Sequence, residues 1–113
     1  MTNKEKNNKE KIFNFLQKQI NSHDIVLYMK GTKENPMCGF SKLIVQILDN
    51  LNVKYLDVDV LVDLELREGI KHFTNWPTIP QLYIYGDFVG GADITRELYN
   101  SGDLLKIINK TCE

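Results

Sequence analysis

The chain has 113 residues, the size of a single domain with one contiguous core. A hydrophobic fraction of 42% and a charged fraction of 26% set aside wholesale disorder, collagen-like repeats and a disulfide scaffold. With 14 basic against 15 acidic side chains the formal charge is -1, so no basic field marks nucleic acid or an anionic membrane as a partner.

Two cysteines, Cys38 and Cys112, are too few for a stapled secreted framework. Neither they nor His23 and His72, which read as surface residues, show the spacing of a zinc site. The longest apolar run, Ile25 to Met29, is far short of the ~20 residues of a membrane span. Met1 to Lys11 lacks the apolar stretch of a signal peptide, and Glu5 and Glu10 among its lysines are unlike a transit peptide. The expectation is a cytoplasmic protein, or a mitochondrial one had a presequence been removed upstream.

Residues 1–11 are mostly Asn, Lys and Glu and are expected to be a polar flexible tail ahead of a domain spanning 12–113. Ile12, Phe13, Leu16 and Ile20 recur at helical spacing until Asn21-Ser22-His23-Asp24 breaks the pattern. Ile25 to Met29 predicts a central strand covered on both faces, with Lys30 at its end. Gly31 to Met37 is a loop. Phe40, Leu43, Ile44, Ile47, Leu48 and Leu51 form one apolar stripe of a helix starting at about Cys38.

Val53 to Val60 alternates, with Leu56, Val58 and Val60 on one side and Asp57 and Asp59 on the other, and predicts a strand near the sheet edge. Leu61 to Phe73 returns to helical character through Leu64, Ile70 and Phe73, and Asn75-Trp76-Pro77 ends it. Gln81 to Tyr85 and Asp87 to Val89 predict a hairpin turning at Gly86-Asp87. Asp93 is a plausible N-cap for a last helix, which Ser101-Gly102 interrupts before Leu104, Leu105, Ile107 and Ile108. The order α-β-α-β-α-β-β-α, with two crossover units and a hairpin, implies an α/β fold with a four-stranded mixed sheet flanked by helices.

Cys38 is the sharpest chemical feature. A loop delivers it to a helix N-terminus, where unsatisfied amides and the positive end of the dipole favour a thiolate, able to attack disulfides or bind a soft metal. A small buried hydrophobe is the plain alternative. Lys30 at a strand's C-terminal end would point into the crevice where α/β sheets bind ligands, or stand solvated.

Cys38-Gly39-Phe40-Ser41, preceded by Met29-Lys30-Gly31-Thr32 and followed by Asn75 to Leu82 and Gly90 to Ile94, resembles a monothiol glutaredoxin of the CGFS class over roughly residues 12–110. The resemblance implies the thioredoxin-like fold, with Cys38 the active cysteine, binding one iron of a [2Fe-2S] cluster shared between two subunits. It also implies that Ser41 stands where dithiol relatives carry a resolving cysteine. Lys30 and Arg67 correspond to contacts with the glycyl carboxylate of glutathione, although an arginine on a charged helix face is often simply solvated. Thr78-Ile79-Pro80 resembles a cis-proline loop in which Ile79 offers its backbone amide and carbonyl to the cysteinyl part. Trp76 would anchor the core, line the site, or both.

Gly90 to Asp93, with Ala92, resembles the segment holding the γ-glutamyl end, Asp93 facing its ammonium and the helix amides its carboxylate. Some relatives carry a second cysteine where this chain has Ala92. Cys112, near the C-terminus, reads as a bystander. The resemblance thus implies an iron-sulfur cluster carrier acting as a cluster-bridged homodimer, with apo iron-sulfur proteins as recipients and a BolA-like protein as a docking partner. The alternative is a weak glutathione-dependent thiol-disulfide oxidoreductase. Lys30 and Cys38 are separated by the loop Gly31 to Met37, longer than in dithiol relatives and associated in the family with poor reductase activity.

Overall fold

In a computed structural model that describes residues 2–110, the apolar run Ile25–Met29 is strand β1, and all of it is buried. Alternation along β1 feeds two cores. Ile25, Leu27 and Met29 pack against helices α2 (Gly39–Asn50), α4 (Ala92–Ser101) and α5 (Asp103–Ile108). Val26 and Tyr28 pack against α1 (Asn3–Ser22) and α3 (Leu64–Thr74) on the other face. A strand covered on both sides must be apolar throughout, which is what the continuous run encodes.

With β2 (Leu56–Asp59), β3 (Gln81–Ile84) and β4 (Asp87–Gly90), the sheet order is β2-β1-β3-β4. The mixed four-stranded sheet flanked by helices is therefore as expected. Only β1-α2-β2 is a parallel crossover, however; β3 runs antiparallel to β1, so α3 returns the chain in the opposite sense. The hairpin turns at Tyr85 and Gly86, one residue earlier than predicted. Both carry positive φ, 52° and 85°, the primed-turn geometry that matches strand twist.

Several local expectations are corrected. Residues 3–11 continue α1 instead of forming a tail: Thr2 caps the helix, its hydroxyl accepting from the Glu5 amide at 3.2 Å, and the Lys and Glu that follow are good helix formers that need no burial. Phe40 and Leu64 belong to apolar stripes in sequence yet are 61% and 69% exposed, while Ser41 and Leu66 in the same first turns are buried, so each first turn meets the interior on another side. Gly91, not Asp93, is the N-cap of α4, and Asp93 lies in the first turn paired with Arg96 at 3.2 Å. The break at Gly102 between α4 and α5 falls where Ser101-Gly102 predicted it.

A candidate thiol-bearing ligand cleft

Cys38 is the N-cap of α2, with extended backbone (φ -154°, ψ 139°), so its sulfur sits over the open first turn. Partial desolvation pushes the thiol pKa up. The Ser41 and Phe40 amides, the Lys30 charge and the Ser41 hydroxyl together outweigh that effect, and the pKa falls below the ordinary thiol value. Ser41 itself is fully buried, and its hydroxyl accepts from the Lys30 amide at 3.1 Å. Ser41 thus ties the end of β1 to the start of α2.

The loop between Lys30 and Cys38 is closed rather than open. The Met37 amide donates to the Lys30 carbonyl at 2.9 Å, and Thr32 and Asn35 exchange backbone hydrogen bonds of 3.0 and 3.3 Å inside it. Asp59 Oδ1 accepts from the Gly31 amide at 3.0 Å and from the Leu61 amide at 2.9 Å, and Asp57 Oδ2 accepts from the Lys33 amide at 2.9 Å. The alternating pattern of β2 groups these two aspartates as its polar side; they are half-buried and serve as acceptors for loop amides on the sheet edge.

Beside Cys38 opens a cleft of about 630 Å³ that brings together every residue nominated from sequence: Lys30, Cys38, Arg67, Ile79, Ala92 and Asp93. Arg67 comes from α3, Ile79 from the segment before β3, and Ala92 and Asp93 from the start of α4. The Ile79-Pro80 peptide is cis. Trp76 lines the cleft, half-buried and outside both core clusters, with its ring centroid 5.6 Å from that of Phe88. His23 and His72 are exposed. Cys112 lies outside the described residues.

Two cleft residues carry buried donors that find no acceptor in the protein, Arg67 Nε and Trp76 Nε1. Such groups are costly to bury unless something completes them. Lys71 also lines the cleft, one helical turn beyond Arg67, with Glu68 as its ion-pair partner at 3.3 Å. Sequence reasoning misses Lys71; its i,i+4 spacing from Arg67 on a predicted helix is the available signal. The cleft therefore offers an acidic thiol, three basic side chains and, at α4, first-turn amides that have no partner within their helix. That arrangement suits an anionic ligand held within reach of the Cys38 thiol.

A four-stranded mixed sheet with a helix-capping cysteine facing a cis-proline segment defines a thiol-handling protein of the thioredoxin-like class. The sequence profile of the glutaredoxin family matches residues 25–89. A probable monothiol glutaredoxin 2 of Rickettsia conorii is 53% identical over 98 residues, covering 87% of this chain and 92% of that protein. The chloroplastic monothiol glutaredoxin-S14 of Arabidopsis thaliana is 54% identical over 95 residues, 84% of this chain and 55% of the plant protein. The solution structure of reduced apo GrxS14 from poplar superposes with a TM-score of 0.76 at 50% identity, covering 87% of this chain and 90% of that one. The chain belongs to the glutaredoxin family, in its monothiol class. Among the described residues no helix is long and apolar enough to cross a membrane.

Proposed function

We propose that the cleft binds glutathione and that two chains, each contributing Cys38, carry a [2Fe-2S] cluster and deliver it to apo-proteins. The observation that carries this reading is the acidic Cys38 thiol opening on a cleft with Arg67 and Trp76 donors buried and unpartnered. Lys30 and Arg67 would hold the glycyl carboxylate, the Ile79 backbone the cysteinyl part, and Ala92 and Asp93 the γ-glutamyl end.

The donor set fits a shared cargo. A [2Fe-2S] cluster takes four thiolates, and the described residues of one chain offer a single cysteine and no group of three or more metal-ligating side chains. Two Cys38 thiolates and two glutathione thiolates complete the count, which makes the loaded form a homodimer. The exposed Met37 and Phe40 beside Cys38 suit an apolar contact with the second chain, or with a BolA-like protein in its place.

The depressed thiol pKa favours a second activity, weak deglutathionylation. The Cys38 thiolate attacks the glutathionyl sulfur of a protein mixed disulfide and expels the protein thiolate. Free glutathione thiolate then attacks the Cys38 mixed disulfide, leaving as glutathione disulfide and restoring Cys38. Ser41 cannot replace the incoming thiol, since a hydroxyl forms no disulfide.

Calorimetric titration with glutathione tests the cleft. Lys30→Glu sets a negative charge against the glycyl carboxylate and should weaken binding by on the order of 1 to 3 kcal/mol. Unchanged affinity would remove Lys30 from the site.

A further inference from the structure

We propose that Gln81 is the positioning residue of the ligand-binding loop: its buried amide grips the Trp76 and Thr78 carbonyls and so aims the Ile79 backbone at glutathione. This role rests on the cleft binding glutathione.

Gln81 opens β3 and is fully buried, one of three buried polar side chains among the described residues, with Ser41 and Thr95. An amide is unfavourable in a core unless its polar atoms are paired. Gln81 Nε2 donates to the Trp76 carbonyl at 3.1 Å and to the Thr78 carbonyl at 3.3 Å. Its Oε1 accepts from Tyr83 Oη at 3.1 Å, with Thr74 Oγ1 at 3.2 Å. Thr74 has one proton and a closer acceptor in the Ile70 carbonyl, at 2.8 Å, so Tyr83 is the steady donor. Only the NH₂ group can serve two carbonyls at once, which fixes the orientation of the amide.

The two gripped carbonyls belong to residues outside every helix and strand, in a stretch whose members Trp76 to Pro80 all line the cleft. No ladder pairs them; Gln81 does. The Thr78 carbonyl shares a planar trans peptide with the Ile79 amide, so the two point in opposite directions. Holding the carbonyl down toward Gln81 turns the Ile79 N–H away from the core. A methionine of similar volume would fill the same space without orienting either peptide. What the glutamine adds is a single conformation of the loop.

The test measures glutathione affinity by calorimetry and the pH profile of Cys38 alkylation in the parent, Gln81→Met and Tyr83→Phe. Gln81→Met should weaken glutathione binding on the order of ten-fold, the loss of two backbone-orienting hydrogen bonds. Its alkylation profile should match the parent's, because Cys38 is stabilised by Ser41, Phe40 and Lys30 on other elements. Tyr83→Phe keeps both carbonyl bonds and should stay within about two-fold of the parent. Parent-like affinity in Gln81→Met, or an equal loss in Tyr83→Phe, overturns the role of Gln81 while glutathione binding stands. A parent that binds no glutathione overturns both readings. Should Gln81→Met not fold, hydrogen exchange in the parent decides. Reciprocity between clamp and ligand requires saturating glutathione to slow exchange of the Gln81 side-chain amide protons several-fold, and unchanged exchange overturns the proposal.

Discussion

Replacing Gly31 by alanine probes the closed loop that sets Lys30 beside Cys38. Gly31 has φ +88°, a left-handed conformation that costs a residue with a Cβ about 1 to 2 kcal/mol. The added Cβ would also overlap the Asn35 carbonyl oxygen and stand 2.8 Å from the Met37 nitrogen, both backbone atoms that cannot rotate away. Relief requires the loop to open, giving up the Met37 to Lys30 hydrogen bond and the Thr32-Asn35 pair, at about 0.5 to 1.5 kcal/mol each. The three bonds and the backbone strain together make a loss of about 2.5 to 6.5 kcal/mol, or a fall in Tm on the order of 10 to 30 °C. Urea and thermal unfolding would read it, with Gly39→Ala as the matched control, since a Cβ there meets nothing within 4 Å. The control should hold or gain slightly. A Gly31→Ala protein within about 0.5 kcal/mol of the parent would refute the strained, closed loop.

Three further outcomes follow from the same geometry. Cys38 has a folded-state pKa below its unfolded value, so its contribution to stability is full above the unfolded thiol pKa and is lost as pH falls through the folded pKa. The stability of the parent relative to Cys38→Ser should therefore rise with pH across that window, read by urea melts at a series of pH values. Ser41→Ala strands the Lys30 amide and removes one donor to the sulfur; it should cost about 1 to 3 kcal/mol of stability and move the alkylation profile of Cys38 to higher pH. Leu48→Ala, fully buried between α2 and the sheet, should cost about 2 to 5 kcal/mol in the same melts with the alkylation profile unmoved.

What was legible in the sequence was periodicity and punctuation. The run Ile25 to Met29, the stripe through Ile44, Ile47 and Leu48, and the break at Gly102 each have one physical reading, and the elements follow. Phe40 and Leu64 show where that logic stops: a stripe states which positions of a helix are apolar, not which of them the core meets, and in these first turns the interior takes Ser41 and Leu66 instead. Asp57 and Asp59 mislead for a related reason. Alternation groups them as the polar face of β2, while their acceptors serve a loop packed on the sheet edge, a partner that strand periodicity does not encode.

In the site, Cys38, Lys30 and Asp93 stand out in the sequence because each type has chemistry at a helix or strand end. Gln81 carries no reactive group and sits in a strand pattern, so its grip on Trp76 and Thr78 emerges only once the loop folds back over it. Residues 3–11 show the converse, a helix held by a cap and by propensity where composition alone suggested none.

Anaerobic reconstitution with iron, sulfide and glutathione, followed by gel filtration with visible absorbance and iron analysis, decides between a glutathione-ligated shared cluster and a chain-only site. With Cys38 the one cysteine among the described residues of each chain, glutathione ligation requires a coloured dimer with about two irons per two chains when glutathione is present. It requires a colourless monomer when glutathione is left out, no cluster in Cys38→Ser, and parent-like behaviour in Cys112→Ser. A stable coloured dimer formed without added thiol and lost in Cys112→Ser would contradict it and make Cys112 a direct ligand.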